Sequence, residues 1–268
     1  TVRSLLARVF MGFIAIWIVL PILVVCLAAL NGGRTMFFPP EDPTLARFVA
    51  FFLTEEVWVR SLRNSLLVAV GSAVLAVLAA WPIAYGLWRR ADRYSKLLAG
   101  LASMPFALPP IVFGVGLVFF WGYAGALGNV WSGIVSHAIL FLALPLTTLT
   151  IGLQSIDRAH IDAAATMGAS EAIAFRTVIL PQMIPFTASG FFFVMVLSFN
   201  EFIVIFFVSA SGYSTVTVQI FNSLRNGFTP TMAVGAITFI TASAIIFSLI
   251  ARFGNLPQLL GADTSKSS

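Results

Sequence analysis

Long runs without Asp, Glu, Lys or Arg dominate the chain. They cover residues 9–33, 64–88, 97–156, 177–200, 202–224 and 226–251. About 20 apolar helical residues cross a bilayer core. The 97–156 run is 60 residues long, enough for two spans and a turn, which Gly122, Gly125, Gly128 and Asn129 mark. The runs on either side of Glu201 are separated by that residue alone. The pattern predicts spans over about 9–30, 62–87, 97–122, 131–153, 184–208 and 230–251. Strands of a β-barrel would be shorter and would alternate in polarity, and these runs do not. The expected class is an all-α membrane protein with six transmembrane helices.

Composition agrees. Of 268 residues, 59% are hydrophobic and 9% charged, against about 25% charged in soluble domains. A soluble enzyme and a disordered chain are both excluded. Cys26 is the one cysteine, so there is no disulfide scaffold. The length suits a single transmembrane domain over 1–268.

Charge sets the orientation. With both termini cytoplasmic, Arg3, Arg8, Arg89, Arg90, Arg93, Lys96, Arg158, Arg176, Arg252 and Lys266 lie inside, and Arg34, Arg47, Arg60, Arg63 and Arg225 outside. The positive-inside rule favours that arrangement. The net charge of +5 then reflects topology, and no nucleic-acid partner is expected, since a phosphate-binding surface needs clustered basic residues. The first span has an apolar core longer than a signal h-region and reads as an uncleaved anchor.

The connections differ. The outer loop 31–59 carries Pro39, Pro40 and Pro43, and Leu45–Trp58 suits a short interfacial helix. The segment 209–229 starts with Ser209, Ser211 and Gly212, then places Val216, Ile220, Phe221 and Leu224 at near-helical spacing. It predicts a short helix on or dipping into the outer face. The tail from Asn255 is polar and reads as disordered.

The inner loop 154–183 is the most informative part. Asp157 can N-cap a helix through Met167, rich in alanine over Ala163–Ala165, and Gly168 supplies the position that ends it. Ser170 can N-cap a second helix with Glu171 at its positive end. Pro181 marks the entry to span five. The prediction is helix, Gly turn, helix, outside the bilayer. Ala163, Ala164 and Gly168 offer a small-residue face suited to docking into a partner's groove.

The spacing Asp162-Ala163-Ala164, then Gly168, then Val178-Ile179-Leu180-Pro181 resembles the cytoplasmic loop of binding-protein-dependent ABC import permeases. The family pattern is E-A-A, three residues, Gly, nine residues, I-x-L-P. Asp stands here for Glu and Val for Ile, with the spacing intact. The resemblance runs from Asn64-Ser65 to the end of span six. It implies the type I ABC importer permease fold, with 62–251 as translocation core and span one, 9–30, packed peripherally on a partner permease. It implies that 154–183 is a coupling loop seated in a cytoplasmic ATPase, with Asp162, Ala163, Ala164, Gly168, Ser170, Glu171, Leu180 and Pro181 as coupling residues. The implied assembly has a second permease, more naturally a different subunit, an ABC ATPase dimer and an extracytoplasmic solute-binding protein. Its place is the bacterial inner membrane. ATP and Mg would be held by the ATPase, and this chain, which lacks a Gly-rich Lys-Ser/Thr phosphate loop, would bind no cofactor and catalyse no reaction.

Glu201 is the one acid inside a predicted span. A mid-helix charge costs about 2.5–3.5 kcal/mol on insertion scales. At 1.5 Å per residue it lies about 25 Å from the inner end of span five. Two readings stay open: a carboxylate guiding a cation, or one paired with a donor on the partner permease. Ser198-Phe199-Asn200-Glu201-Phe202 resembles the acidic stretch of polyamine permeases. Residues 198–212 and 219–230 look most like the second permease of spermidine/putrescine systems. Polyamine import is the expected function, with Glu201, Asn200 and Phe199 on the pathway. Related permeases carry opines, phosphonates, amino acids or inorganic anions.

Aromatic residues such as Phe113, Phe120 and Phe191 suit membrane packing better than a cation path. Pro105, Pro109 and Pro110 must interrupt span three. His137 and His160 are isolated and read as packing and surface residues, with no metal-ligand spacing. A stand-alone secondary transporter is the rival class. It would have Glu201 as its sole coupling acid and would leave the helix–Gly–helix loop unexplained. A membrane-embedded enzyme would need a polar cluster that the sequence lacks.

Overall fold

A computed structural model describes residues 2–33, 37–210 and 212–253. Among these, every regular element is a helix. In chain order they are α1 (Val2–Ala28), α2 (Ala46–Leu53), α3 (Glu56–Arg89), α4 (Arg93–Ala107), α5 (Pro110–Tyr123), α6 (Val130–Leu140) and α7 (Ala143–Gln154). There follow α8 (Arg158–Thr166), α9 (Glu171–Ala174), a π turn (Phe175–Ile179), α10 (Leu180–Asn200), α11 (Ile203–Ser209), α12 (Val216–Asn226) and α13 (Pro230–Phe253). The predicted tail from Asn255, and Ser211, lie outside the described residues.

The first, second and last spans are single helices. The other three are broken: span three where Pro105, Pro109 and Pro110 predict an interruption, and spans four and five where none was expected. Span three is α4 and α5, bent by 107°. Leu108 and Pro109 each precede a proline and are held extended, with ψ of 144° and 129°. Pro110 then sits at the first position of α5, where its missing N–H is harmless. Span four is α6 and α7, bent by 46°. Pro145 has no N–H to reach the carbonyl of Phe141, four residues back, and the ladder parts there. Span five is α10 and α11, parted at Glu201 and Phe202.

The chain divides into two compact units. The first joins Thr1–Arg63 with Thr215–Ala242. Its core gathers Ala28, Ala29, Phe51, Trp58, Val216 and Val234. The outer loop is tied by Asn31, which is fully buried. Its side-chain amide donates to the carbonyls of Ala28 (3.1 Å) and Phe37 (2.9 Å), and its oxygen accepts from the N–H of Phe37 and Glu41. Arg47 donates to the carbonyls of Asn31, Gly32 and Gly33. The interfacial helix expected over 45–58 is α2 followed by the first turn of α3. The helix expected within 209–229 begins only at Val216, as α12. On α1, Leu6, Phe10, Phe13 and Trp17 are all exposed.

The second unit joins Asn64–Ser214 with Ser243–Ser268. Leu146, Leu149 and Leu153 of α7 pack with Met183 of α10 and Ala80 and Ala84 of α3. Gly190 permits the α7–α10 approach: a Cβ there would stand 2.8 Å from Pro145 Cα and 2.7 Å from Thr148 Oγ1. Gly125 and Gly128 take positive φ, and Asn129 N-caps α6 by accepting from Trp131 N–H at 2.9 Å, which realises the predicted turn.

Because the neighbour of Gly190 is backbone, no rotamer change can make room. Gly190→Leu should destabilise the chain by more than the roughly 1–3 kcal/mol of ordinary overpacking. Thermal unfolding in detergent should show a lower midpoint, and an unchanged midpoint would contradict the close packing of α7 on α10.

Candidate functional site

Two clusters combine exposed or buried polar groups with special backbone. The first is the loop between α7 and α10. Asp157 accepts from Ala159 N–H at 2.9 Å and opens α8. Gly168 closes it at φ +81°. The Gly168 N–H bonds to Ala165 O at 2.9 Å and the Ala169 N–H to Ala164 O at 3.0 Å, the paired closure of a Schellman end. Ser170 then accepts from Ile173 N–H at 3.4 Å. The predicted helix, Gly turn and helix start are all present at the expected residues.

Two expectations for this loop need correction. The second helix is not separate. α9, the π turn and α10 run on as one 30-residue rod, Glu171–Asn200. Leu180 and Pro181 therefore lie within this rod, not at a boundary, and the π turn just before Pro181 is where the ladder can adjust to a residue without an N–H. The small-residue face is also divided. Ala163 and Gly168 are exposed, but Ala164 is buried against the unit's interior. Asp162, Ser170, Glu171, Leu180 and Pro181 are exposed. Met167 projects beside Gly168 with 82% of its surface free. The sequence reading passed over it because an apolar side chain in an amphipathic loop is expected to turn inward.

The end of α3 carries this loop. Arg89 pairs with Glu171, and its guanidinium holds the Glu171 carboxyl below the usual carboxylate range. Arg158 lies 6.0 Å over the Trp88 ring. Phe175 packs edge-on against Tyr85 at 5.2 Å and Trp81 at 6.0 Å. None of these cross-chain pairs has a sequence signal, since 82 residues separate Arg89 from Glu171.

The second cluster sits at the α10–α11 break. Glu201 is not at mid-helix, as its place in an apolar run suggested. It follows the last residue of α10 with ψ 132°, and its carboxylate accepts from the N–H of Val204 and Ile205 in the first turn of α11. A helix N-terminus favours a carboxylate. His137 of α6 supplies a further contact, Nε2 to Glu201 Oε2 at 3.0 Å, while its Nδ1 meets Ser198 Oγ at 2.7 Å. With Nε2–H donating to the carboxylate and the Ser198 hydroxyl donating to Nδ1, one neutral tautomer satisfies both contacts. His137 is fully buried, as its reading as a packing residue expects, and beyond that both its ring nitrogens are engaged.

The pathway residues diverge. Asn200 is exposed, Phe199 is 1% exposed, and the Glu201 side chain keeps 10% of its surface. Among the described residues, no three His, Cys, Asp or Glu side chains converge on a metal-sized site.

Similarity to known proteins follows this geometry. The family described as "Binding-protein-dependent transport system inner membrane component" matches residues 72–255. The chain is similar to the spermidine/putrescine transport system permease protein PotC of Escherichia coli (strain K12), 26% identical over 265 residues, 99% of this chain and 97% of that one. It is similar to the molybdate/tungstate transport system permease protein WtpB of Pyrococcus abyssi (strain GE5 / Orsay), 28% identical over 67% of this chain and 66% of that one. Its fold is shared with a chain in the crystal structure of a bacterial ABC transporter involved in the import of the acidic polysaccharide alginate. There the TM-score is 0.72 at 18% identity, covering 94% of this chain and 96% of that one. The family match takes in the α8–α9 loop and the Glu201 break alike, and the chain belongs to the family of binding-protein-dependent transport system inner membrane components.

Proposed function

We propose that this ABC importer permease subunit carries a polyamine, such as spermidine or putrescine, across the bacterial inner membrane into the cytoplasm. The observation that supports this substrate most directly is the similarity to PotC along nearly the whole chain. Both termini face the cytoplasm, as does the α8–α9 loop. A different permease subunit completes the membrane pair. An ABC ATPase dimer binds ATP and Mg and seats the loop, and an extracytoplasmic binding protein delivers the solute.

The loop suits this work physically. Asp162, Ala163, Met167 and Gly168 face outward at its tip, and both of its ends lead straight into packed helices. A push on the tip passes into α7 and α10 together. At the break, Glu201 places a negative charge beside exposed Asn200, where a cation would gain and an anion would lose. An oxyanion substrate is the second reading, supported by the likeness to WtpB over two thirds of the chain. The Glu201 charge disfavours it.

Gentle extraction of the tagged chain should bring with it an ATPase and a second permease, and polyamine-loaded binding protein should stimulate ATP hydrolysis. A chain that purifies alone and transports in liposomes without ATP would overturn the importer reading.

Two substitutions separate the parts. Gly168→Val forces a β-branched residue into left-handed backbone, and ATP-coupled uptake should fall at least tenfold with normal membrane insertion. Gly168→Asn, which tolerates that conformation, should keep most of the uptake. Glu201→Gln should weaken uptake at limiting polyamine while the complex still assembles, and unchanged uptake would remove Glu201 from the pathway.

A further inference from the structure

On the surface of the second unit, α3 and α10 are lined by two facing stripes. Val74, Leu78 and Trp81 recur at helical spacing on α3, and Leu180, Ile184 and Phe191 on α10. Between them lies an apolar cavity of about 390 Å³. Trp81 and Leu180 also line a second cavity of about 690 Å³ toward the α8–α9 loop, so the two adjoin there. The helices run antiparallel, so both bring their polar ends to the same level. There the walls become Tyr85, Arg89, Arg176 and Glu171. Arg90 also acts electrostatically on Glu171. Two arginines, Arg89 and Arg176, against the Glu171 carboxylate leave this mouth net positive. Arg89 is engaged by Glu171, whereas Arg176 is exposed and makes no salt bridge among the described residues.

We propose that this groove is a binding site for one anionic phospholipid of the leaflet on the side of the α8–α9 loop. The dimensions fit. From Val74 to Trp81 the apolar limb spans about 10 Å, and from Val74 to Arg89 the helix rises about 22 Å. One leaflet contributes about 15 Å of hydrocarbon, so the acyl chain lies along the apolar limb and the phosphate reaches the arginines. Trp81 and Tyr85 stand at the depth where amphipathic rings favour the headgroup boundary. Basic pockets between spans on the cytoplasmic side are suited to acidic headgroups. The bound lipid would lie against Phe175 and Glu171, the residues that seat the loop on α3, and so would brace the start of α10. The inference rests on α3 and α10 spanning the membrane, not on the substrate.

The test is native mass spectrometry of the full-length chain, titrated in detergent with dioleoylphosphatidylglycerol or dioleoylphosphatidylcholine. The anionic lipid should be retained about five-fold more than the zwitterionic one, the effect of about one arginine on one headgroup. Arg176→Gln should remove most of that preference and Arg176→Lys should keep it. Thr187→Trp, which fills the apolar limb, should reduce retention of both lipids. Equal retention of the two lipids, or a preference indifferent to Arg176→Gln and Thr187→Trp, would overturn the site. Displacement by soluble glycerol phosphate would overturn it as well, since the acyl chain would then contribute nothing. A photoreactive residue at Ala188 should trap lipid in native membranes, and trapping of a neighbouring polypeptide instead would assign the groove to a partner chain. ATPase co-purification is unaffected by any of these results, so the importer reading stands or falls separately.

Discussion

The contact of α7 with α10 is the constraint on which the second unit depends. Gly190 brings α10 against the backbone of Pro145 and the hydroxyl of Thr148 with no room for a Cβ. Leu149, Leu153 and Met183, all fully buried, fill the space beside it. The loop between these helices therefore starts and ends on a packed pair. Its own hydrogen bonds are local: an Asp cap, a Schellman end and a Ser cap. They fix its shape, while the α7–α10 contact and the aromatic wall of α3 fix its place. Packed interiors have low compressibility, so the loop is rigidly mounted on the helix pair.

Three of the six spans are broken, and each break meets the same physical demand. In hydrocarbon an unsatisfied backbone group costs several kcal/mol. At Leu108–Pro109 the demand is lessened because two prolines have no N–H to satisfy. At Phe141 the freed carbonyl accepts instead from Leu144 N–H at 3.1 Å. At Glu201 a side chain replaces the missing turn by accepting from Val204 and Ile205. A charged residue is thus tolerated in an apolar run because it completes a helix end and is itself held by His137. The same arrangement keeps a negative charge next to exposed Asn200.

Much of this was legible in the chain. The spans followed from charge-free runs, because burying charge in lipid is costly enough to leave few exceptions. The caps at Asp157, Gly168 and Ser170 were legible because capping acts over two to five residues and depends on side-chain type. The turn at Gly125, Gly128 and Asn129 was legible for the same reason. Prolines at 105, 109 and 110 announced an interruption, though not its angle. The burial of His137 was legible, but its bonds to Ser198 and Glu201 were not, since a lone histidine in an apolar run has no local partner to betray them. Ala164 was placed on the wrong face because alanine carries no polarity to orient it.

The sequence by itself determined which segments enter the membrane, the caps that open and close the α8–α9 loop, and the spacing of the loop residues. These are set by transfer free energies and hydrogen bonds between near neighbours. Only the tertiary structure decided that α9 continues into α10, that Arg89 meets Glu171, that His137 reaches Ser198 and Glu201, and that α3 and α10 leave a groove with a basic mouth. Those pairings lie 61 to 82 residues apart. They arise from how bent helices pack, a geometry set by small residues such as Gly190 whose meaning is the space they leave.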